Sequence, residues 1–472
     1  MSPAAPLAAP WEAAPLPEGW TLPDLLRRPP AEVRALQDRL LARTVELCYE
    51  GHPYYARVMR AEGLEPRHIR SVDELTRLPP TSKDDFLNDP DAFVLDHPDL
   101  EQDERTLWKV IYTSGTTTGL PAPIRITTRD HYSYMWACRR REDLVPVVPG
   151  DVIASLFPLT KFPMGAYARA PDEAAACGAG VVFGLTGRAG DVFDVHHSLD
   201  DAVAHVARHR ATILWGVASF IRRVLIRAGE LGADFGSVRM AMITGEATSP
   251  AMRADMRRRM REVGCAGELI CNRYGSTEQG SSMVECAEGS GFHSLAPDQV
   301  FHEVVEPETG ARLPDGEAGQ LAFTHLIKRG TVLLRYLIGD HVAIDHAPCP
   351  HCGRTSPRVA SNLTRTGDLV KVRGMLVNLR ALKDWLEAHP QAEEYQIVIR
   401  PEDADDPFSM DALVLRIAPS EPPSEALAAA FAEAAAARLH LRPGVEWATR
   451  DELFDPLRAV KPVRVVDHRP SG

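Results

Sequence analysis

The sequence contains no run of about 18 consecutive apolar residues, so it predicts no membrane-spanning helix. It begins MSPAAPLAAPWEAAPLPEGW, which lacks the basic start and the continuous apolar stretch of a secretory signal peptide. This Ala- and Pro-rich composition instead favours a flexible lead-in over residues 1–25. We therefore expect a cytoplasmic protein that has no membrane partner.

Cysteine and positive charge are also scarce. Eight cysteines in 472 residues, without an export signal, argue against a disulfide scaffold and favour reduced thiols or a metal site. The chain has 53 Lys and Arg against 65 Asp and Glu, a net charge of −12, which argues against nucleic-acid partners. A local basic pocket for a small anion stays compatible with that balance.

What the sequence does contain is an alternation of apolar strands and helices. LWKVIY (Leu107–Tyr112), ATILWGV and VRMAMITGE are typical of buried strands, and a helix is expected from Pro250 with Ser249 as its N-cap. This alternation predicts an α/β fold. Near residue 365 the pattern changes to a small α+β unit, so we expect a large domain over residues 26–364 and a second domain over residues 365–472.

The segment YTSGTTTGLPAP, residues 112–123, follows the first of these strands directly. A turn of Gly, Ser and Thr presents backbone N–H groups and hydroxyl donors in a small volume, an arrangement that binds phosphate. It does not match the nucleotide motif G-x-x-x-x-G-K-[ST], because Gly115 and Gly119 are separated by three residues and Leu120 follows. A phosphate-binding loop and a Thr-rich surface turn are the two interpretations.

Four further segments follow in a definite order: RYGSTEQG (273–280), RYLIGD (335–340), TRTGDLVKVRG (364–374) and LRAVKPVRVVDHRP (457–470). Together with the hydroxyl-rich loop they resemble the adenylate-forming enzymes, and more narrowly the phenylacetate–CoA ligase branch. The resemblance implies a large multi-sheet α/β N-terminal domain with a small mobile α+β C-terminal lid. It also implies ATP-dependent activation of a carboxylic acid to an acyl-adenylate, then transfer to coenzyme A with release of AMP and pyrophosphate.

The resemblance assigns a role to particular residues. Tyr274 stacks on adenine, Asp340 accepts the ribose hydroxyls, Thr277 reaches the α-phosphate, Glu278 binds Mg²⁺, and Lys461 bridges the acid and the α-phosphate. The full set of expected nucleotide contacts is Thr113, Ser114, Gly115, Thr116, Thr117, Gly119, Gly245, Glu246, Tyr274, Gly275, Asp340 and Arg365.

Two departures from the family pattern stand out: Leu120 replaces the usual loop lysine, and the hinge 365–368 reads Arg-Thr-Gly-Asp. The missing lysine motivates an alternative of another class, a non-catalytic binder of nucleotide or acyl-adenylate.

The resemblance also places the acid pocket between two segments, FPLTKFPMGAY (157–167) and WGVASF (215–220). Its expected walls are aromatic and apolar, which suits an aryl or arylacetic acid, and they are Phe157, Phe162, Met164, Gly165 and Trp215. Coenzyme A is the expected acceptor. A carrier protein or an amine is the alternative, and a homodimer stays open.

Cys349 and Cys352 form a C-x-x-C pair, and Cys286 and His293 precede it. Three thiolates and one imidazole suit structural Zn²⁺, which prefers a tetrahedral set of such ligands. The family fold brings these two segments together, so we expect a zinc site here. His351 is an alternative ligand, and Cys286 as a core thiol is the alternative without metal.

Overall fold

The computed structural model describes residues 16–469 except 22, 114–120, 141–143, 158–161, 164, 185–196, 247, 361–363, 366–368, 373–374, 403–409, 440, 456–458 and 460. Within these ranges no helix combines the length and the apolarity that crossing a bilayer requires.

The helices of the described ranges are α1 (Pro30–Gly51), α2 (Pro53–Ala61), α3 (Lys83–Asn88), α4 (Gln102–Arg105), α5 (Thr128–Arg139), α6 (Gly165–Cys177), α7 (Leu199–Arg208), α8 (Ala218–Leu231), α9 (Pro250–Glu262), α10 (Leu379–Ala388), α11 (Glu425–Leu439) and α12 (Arg450–Leu453).

The strands are β1 (Leu107–Tyr112), β2 (Pro123–Thr127), β3 (Val152–Ser155), β4 (Gly180–Phe183), β5 (Ile213–Gly216), β6 (Met240–Ile243), β7 (Leu269–Tyr274), β8 (Met283–Glu285), β9 (Phe292–Ser294), β10 (Val300–Val305), β11 (Gly319–His325), β12 (Tyr336–Val342), β13 (Ile344–Asp345), β14 (Arg358–Val359), β15 (Thr364–Arg365), β16 (Leu369–Val372), β17 (Met375–Asn378), β18 (Ala392–Pro401), β19 (Asp411–Pro419), β20 (Gly444–Trp447) and β21 (Val465–Asp467).

The largest sheet has the order β13-β14-β9-β8-β7-β6-β5-β3-β4. Strands β4, β3, β5, β6 and β7 are parallel, and β5 and β6 are buried along their whole length, as is typical of strands in parallel sheets. Parallel strands bring their carboxyl ends to one edge of the sheet, where ligands bind in such folds. The segments after β5, β6 and β7 therefore meet there.

Two smaller sheets also belong to the part of the chain before residue 366. A four-stranded antiparallel sheet has the order β10-β11-β12-β15, and β1 pairs with β2 as a separate hairpin. The expected strand over Leu107–Tyr112 is confirmed with these bounds. The expected helix after Ser249 is also confirmed, since the Ser249 side chain accepts the N–H of Met252 at 3.1 Å.

The C-terminal part has a hydrophobic cluster of its own. A sheet of order β20-β19-β18-β21 packs against α10 and α11, and its apolar cluster includes Ile397, Leu415 and Phe431. The apolar side chains of this cluster belong to residues after 369.

Several histidines of the large domain are buried. Burial lowers the pKa of His52 to about 4, and that of His302 and His325 to about 3. Each of these rings is therefore neutral in the folded protein near neutral pH.

We predict that the free energy of unfolding decreases as the pH falls from about 6.5 toward 4, by up to about 1.4 kcal/mol per pH unit for each ring. The sign follows because the unfolded chain takes up protons that the folded chain excludes. Urea unfolding at several pH values measures the slope. His302→Leu should flatten this slope, because it removes one of the buried rings; equal slopes in the wild type and in His302→Leu would contradict the prediction.

Candidate active site

Tyr274 and Asp340 form the centre of the candidate site. Tyr274 is the last residue of β7, and its hydroxyl donates to Oδ2 of Asp340 at 2.7 Å. Asp340 lies in β12, where its strand partner is Arg365 of β15. Three residues that the sequence placed around the nucleotide are thus neighbours in the structure.

The β7–β8 loop, residues 275–282, carries Thr277 and Glu278. Gly165, at the start of α6, lies against it so closely that a Cβ there would be 2.6 Å from Oγ1 of Thr277. Gly275 has a similar role, because a Cβ at that residue would lie 2.8 Å from the carbonyl oxygen of Ser281. These two glycines are needed for close approach of the backbone.

Side chains from two other elements hold the same loop. Arg169 of α6 donates from Nη2 to the carbonyl oxygen of Thr277 at 3.3 Å. The Nε2 of His325 lies 3.3 Å from the carbonyl oxygen of Gln279, while Nδ1 accepts the N–H of Leu333. Because the neutral ring accepts at Nδ1, it carries its proton at Nε2 and donates to the loop.

Lys461 reaches the segment that follows β6. Its ammonium donates to the carbonyl oxygen of Gly245 at 2.9 Å. The next residue, Glu246, accepts hydrogen bonds from both the backbone N–H and the hydroxyl of Ser219. Burial raises the pKa of the Glu246 carboxyl, and the nearby Arg464 opposes this shift. The C-terminal segment and the end of the large sheet therefore meet here.

Most of the hydroxyl-rich loop lies outside the described residues, including Ser114, Gly115, Thr116, Thr117 and Gly119. The residues on either side of the loop are hydrogen-bonded to each other. The N–H of Thr113 donates to the carbonyl oxygen of Ala122 at 3.1 Å, and the N–H of Ala122 donates to Oγ1 of Thr113 at 3.0 Å. The loop therefore connects two hydrogen-bonded ends of the β1–β2 hairpin.

The residues expected to line the acid pocket fall into two groups. Phe162 packs on Tyr112 with ring centres 4.8 Å apart, and Gly165 lies at Thr277. Phe157 and Trp215 are buried and contact each other edge-on at 5.5 Å. Met164 lies outside the described residues.

The four expected metal ligands converge. The ligand atoms of Cys286, His293, Cys349 and Cys352 all lie within 4.8 Å of one another. The Sγ atoms of Cys286 and Cys349 are 3.7 Å apart, and Sγ of Cys352 is 3.5 Å from Nε2 of His293. The other ring nitrogen of His293 lies 3.4 Å from the hydroxyl of Ser356, which orients the imidazole.

The family model described as AMP-binding enzyme matches residues 46–336. The chain belongs to the AMP-binding enzyme family. It is 29% identical over 406 residues to the phenylacetate-coenzyme A ligase of Thermus thermophilus, an alignment that covers 85% of this chain and 84% of that protein. Against the phenylacetate-coenzyme A ligase of Escherichia coli K12 it is 26% identical over 352 residues, covering 73% of this chain and 74% of that protein.

Comparison with solved structures confirms the predicted fold. The crystal structure of 2-hydroxyisobutyryl-CoA ligase in the postadenylation state with R3-HIB-AMP superposes with a TM-score of 0.76, at 22% identity, over 96% of this chain and 94% of that one. The structure of the same ligase with 2-HIB-AMP and CoA in the thioesterification state superposes with a TM-score of 0.62, at 23% identity and the same coverage of both chains.

Sequence reasoning missed two buried arginines at the site of this AMP-binding enzyme. Arg273 donates to both carboxylate oxygens of Glu173 at 3.1 Å. Arg335 pairs with Glu303 at 2.9 Å and adopts a left-handed backbone with φ of +48°. Each arginine directly precedes the tyrosine of a motif, RYGSTEQG or RYLIGD, and that position is the signal that could have found them.

We predict that Arg273→Met lowers the free energy of unfolding by about 3–5 kcal/mol, because it leaves the Glu173 carboxylate buried without its cation. The half-exposed Arg258→Met is the matched control and should change stability little. Chemical denaturation of the three proteins measures the difference, and equal midpoints would show that the pair does not contribute.

Proposed function

We propose that this protein is an AMP-forming acid–coenzyme A ligase. It would activate a carboxylic acid with ATP and pass the acyl group from the adenylate to the thiol of coenzyme A, releasing AMP and pyrophosphate. The observation that carries the proposal is the convergence of Tyr274, Asp340 and the Thr277–Glu278 pair within one site. Membership of the AMP-binding family and the likeness to phenylacetate-coenzyme A ligases support it.

In this proposal the nucleotide lies across the carboxyl end of the large sheet. The ring of Tyr274 covers adenine and Asp340 accepts the ribose hydroxyls, which is favoured because Tyr274 already fixes the carboxylate. Thr277 faces the α-phosphate. Glu278 supplies a carboxylate ligand for Mg²⁺, a cation that uses one or two carboxylates together with phosphate oxygens. Such an ion neutralises charge on the phosphates.

Lys461 would bridge the acid and the α-phosphate. Its ammonium already reaches the loop after β6, where it donates to the carbonyl oxygen of Gly245. In a site that excludes water, a cation held beside developing negative charge stabilises the transition state strongly.

We further propose that residues 365–472 form a lid that rotates about residues 365–368. The higher TM-score against the postadenylation state than against the thioesterification state supports a lid in the adenylate-forming position. Contacts between the two parts hold it there: Arg223 pairs with Asp451 at 2.6 Å, and Arg222 donates to the carbonyl oxygen of Glu393 at 3.1 Å. These contacts would break when the lid rotates.

The acid is proposed to be aryl or arylacetic, since the rings of Phe162 and Tyr112 provide aromatic surface in the segment that leads into α6. A phenylacetate-type acid is the first to test because two relatives are named for that substrate.

We predict pyrophosphate–ATP exchange that depends on an aryl or arylacetic acid, and a decrease of at least about a hundredfold for Lys461→Ala. Lys383→Ala, on α10, is the matched control and should keep the wild-type rate. Exchange that no acid in a panel stimulates would contradict the ligase and favour a non-catalytic binder. AMP release that requires coenzyme A, rather than a carrier protein or an amine, identifies the acceptor.

We also propose a structural zinc ion at Cys286, His293, Cys349 and Cys352. The geometry fits the metal: thiolates bound to tetrahedral zinc at about 2.3 Å lie about 3.8 Å apart, and the Sγ atoms of Cys286 and Cys349 are 3.7 Å apart. The ion would tie the segment after β8 to the turn before β14, onto which the N-terminal segment packs through Arg27 and the carbonyl oxygen of Cys352 at 2.7 Å.

We predict about one equivalent of zinc in freshly purified protein, and less than about half of that in Cys349→Ser. Cys265→Ser, which lies outside the cluster, is the control and should keep the full content. Elemental analysis measures both. Wild-type protein with less than about half an equivalent would contradict the site.

A further inference from the structure

Two buried cations lie next to the β7–β8 loop: Arg169 of α6 and Lys328 of the segment between β11 and β12. Their residues are only 8% and 7% exposed. Both flank Gly280, which has φ of +74°. A Cβ at Gly280 would lie 2.9 Å from Nζ of Lys328 and 3.8 Å from Nη2 of Arg169. The two positive groups therefore face the same part of the loop.

The carboxylates of this region are already bound by other donors. Asp172 pairs with Lys109, Glu173 pairs with Arg273, and Asp130 accepts the backbone N–H groups of Arg329 and Gly330 at 2.9 and 3.0 Å.

Among the described residues, no carboxylate lies within ion-pair distance of Arg169 or Lys328. Arg169 donates to the carbonyl oxygen of Thr277 and lies over the ring of Tyr134 at 5.1 Å. No hydrogen-bond acceptor of the described chain lies within reach of the Lys328 ammonium.

A buried cation without a partner is unfavourable, and an anion placed beside it removes that penalty. The pKa of Lys328 reflects this, since burial lowers it and Arg169 lowers it further against the opposing effect of Asp130. Burial likewise lowers the pKa of Arg169. A guanidinium and an ammonium side by side suit an oxyanion of more than one charge, such as a phosphate group.

We infer that Arg169 and Lys328 bind oxygen atoms of the pyrophosphate. This inference rests on the proposed function. In that reaction a carboxylate oxygen bonds to the α-phosphorus, the bond from that phosphorus to the bridging oxygen breaks, and its electron pair leaves with pyrophosphate. The two cations lie beside the loop that carries Thr277 and Glu278, the residues proposed for the α-phosphate and Mg²⁺. They supply positive charge in a chain where Leu120 replaces the usual loop lysine.

The test measures binding of labelled inorganic pyrophosphate and of AMP to the full-length protein by equilibrium dialysis. Lys328→Met should weaken pyrophosphate binding about tenfold or more, while AMP binding changes less than about twofold. Lys328→Arg should restore most of the affinity because it keeps the charge. Lys383→Met, in the C-terminal part, is the matched control and should bind both probes like the wild type.

Three results would overturn the inference. Unchanged pyrophosphate binding by a folded Lys328→Met protein would do so. Equal weakening for pyrophosphate and AMP would indicate a general structural effect. A raised KM for the acid with unchanged pyrophosphate binding would assign the two cations to the substrate carboxylate. The dialysis needs no acid, so it tests the subsite separately from the proposed ligase. If the wild-type protein shows no acid-dependent exchange but Lys328→Met still weakens pyrophosphate binding, the ligase is refuted and the subsite is retained.

Discussion

The hydrogen bond between Tyr274 and Asp340 joins the nine-stranded sheet to a four-stranded sheet at the candidate site. Tyr274 ends β7 of the nine-stranded sheet, and Asp340 lies in β12 of the four-stranded sheet. Because the donor and acceptor come from different sheets, their distance of 2.7 Å depends on how the sheets pack. A shift of one sheet against the other would separate the proposed purine-binding and ribose-binding groups together.

Two buried ion pairs hold the strands that carry these two residues against their neighbours, α6 in one case and β10 in the other. Arg273 holds Glu173 of α6 under the end of β7, and Arg335 holds Glu303 of β10 next to the start of β12. Such pairs add little net stability, since desolvation offsets much of the attraction, but a misplaced partner leaves a buried charge unpaired. They therefore disfavour alternative arrangements of the strands that carry Tyr274 and Asp340. Each of these arginines directly precedes the tyrosine of a motif, so the residue that fixes the strand and the motif are adjacent in the sequence.

The sequence predicted most of the elements whose chemistry is local. The strand before the hydroxyl-rich loop and the cap at Ser249 follow from residue type and spacing. That the four Cys and His residues come together was expected from the family resemblance. The surroundings of Arg169 and Lys328 could not be predicted in that way. Whether a cation is buried, and whether a carboxylate lies within reach, depends on how α6 packs against loops more than 100 residues away.

The net charge of −12 is compatible with a site for polyphosphate. Repulsion by the acidic surface and attraction by cations at the site operate over different distances. At physiological ionic strength the field of a surface charge is screened within about 8 Å, so distant carboxylates repel an arriving nucleotide weakly. Buried cations are screened much less, and their attraction operates at contact. If Arg169, Lys328 and Lys461 all contact anionic oxygens, their combined effect outweighs the acidic surface at the point where phosphate binds. Composition thus argues against polyanion binding over the whole surface, while affinity for a small polyanion depends on a few groups at the site.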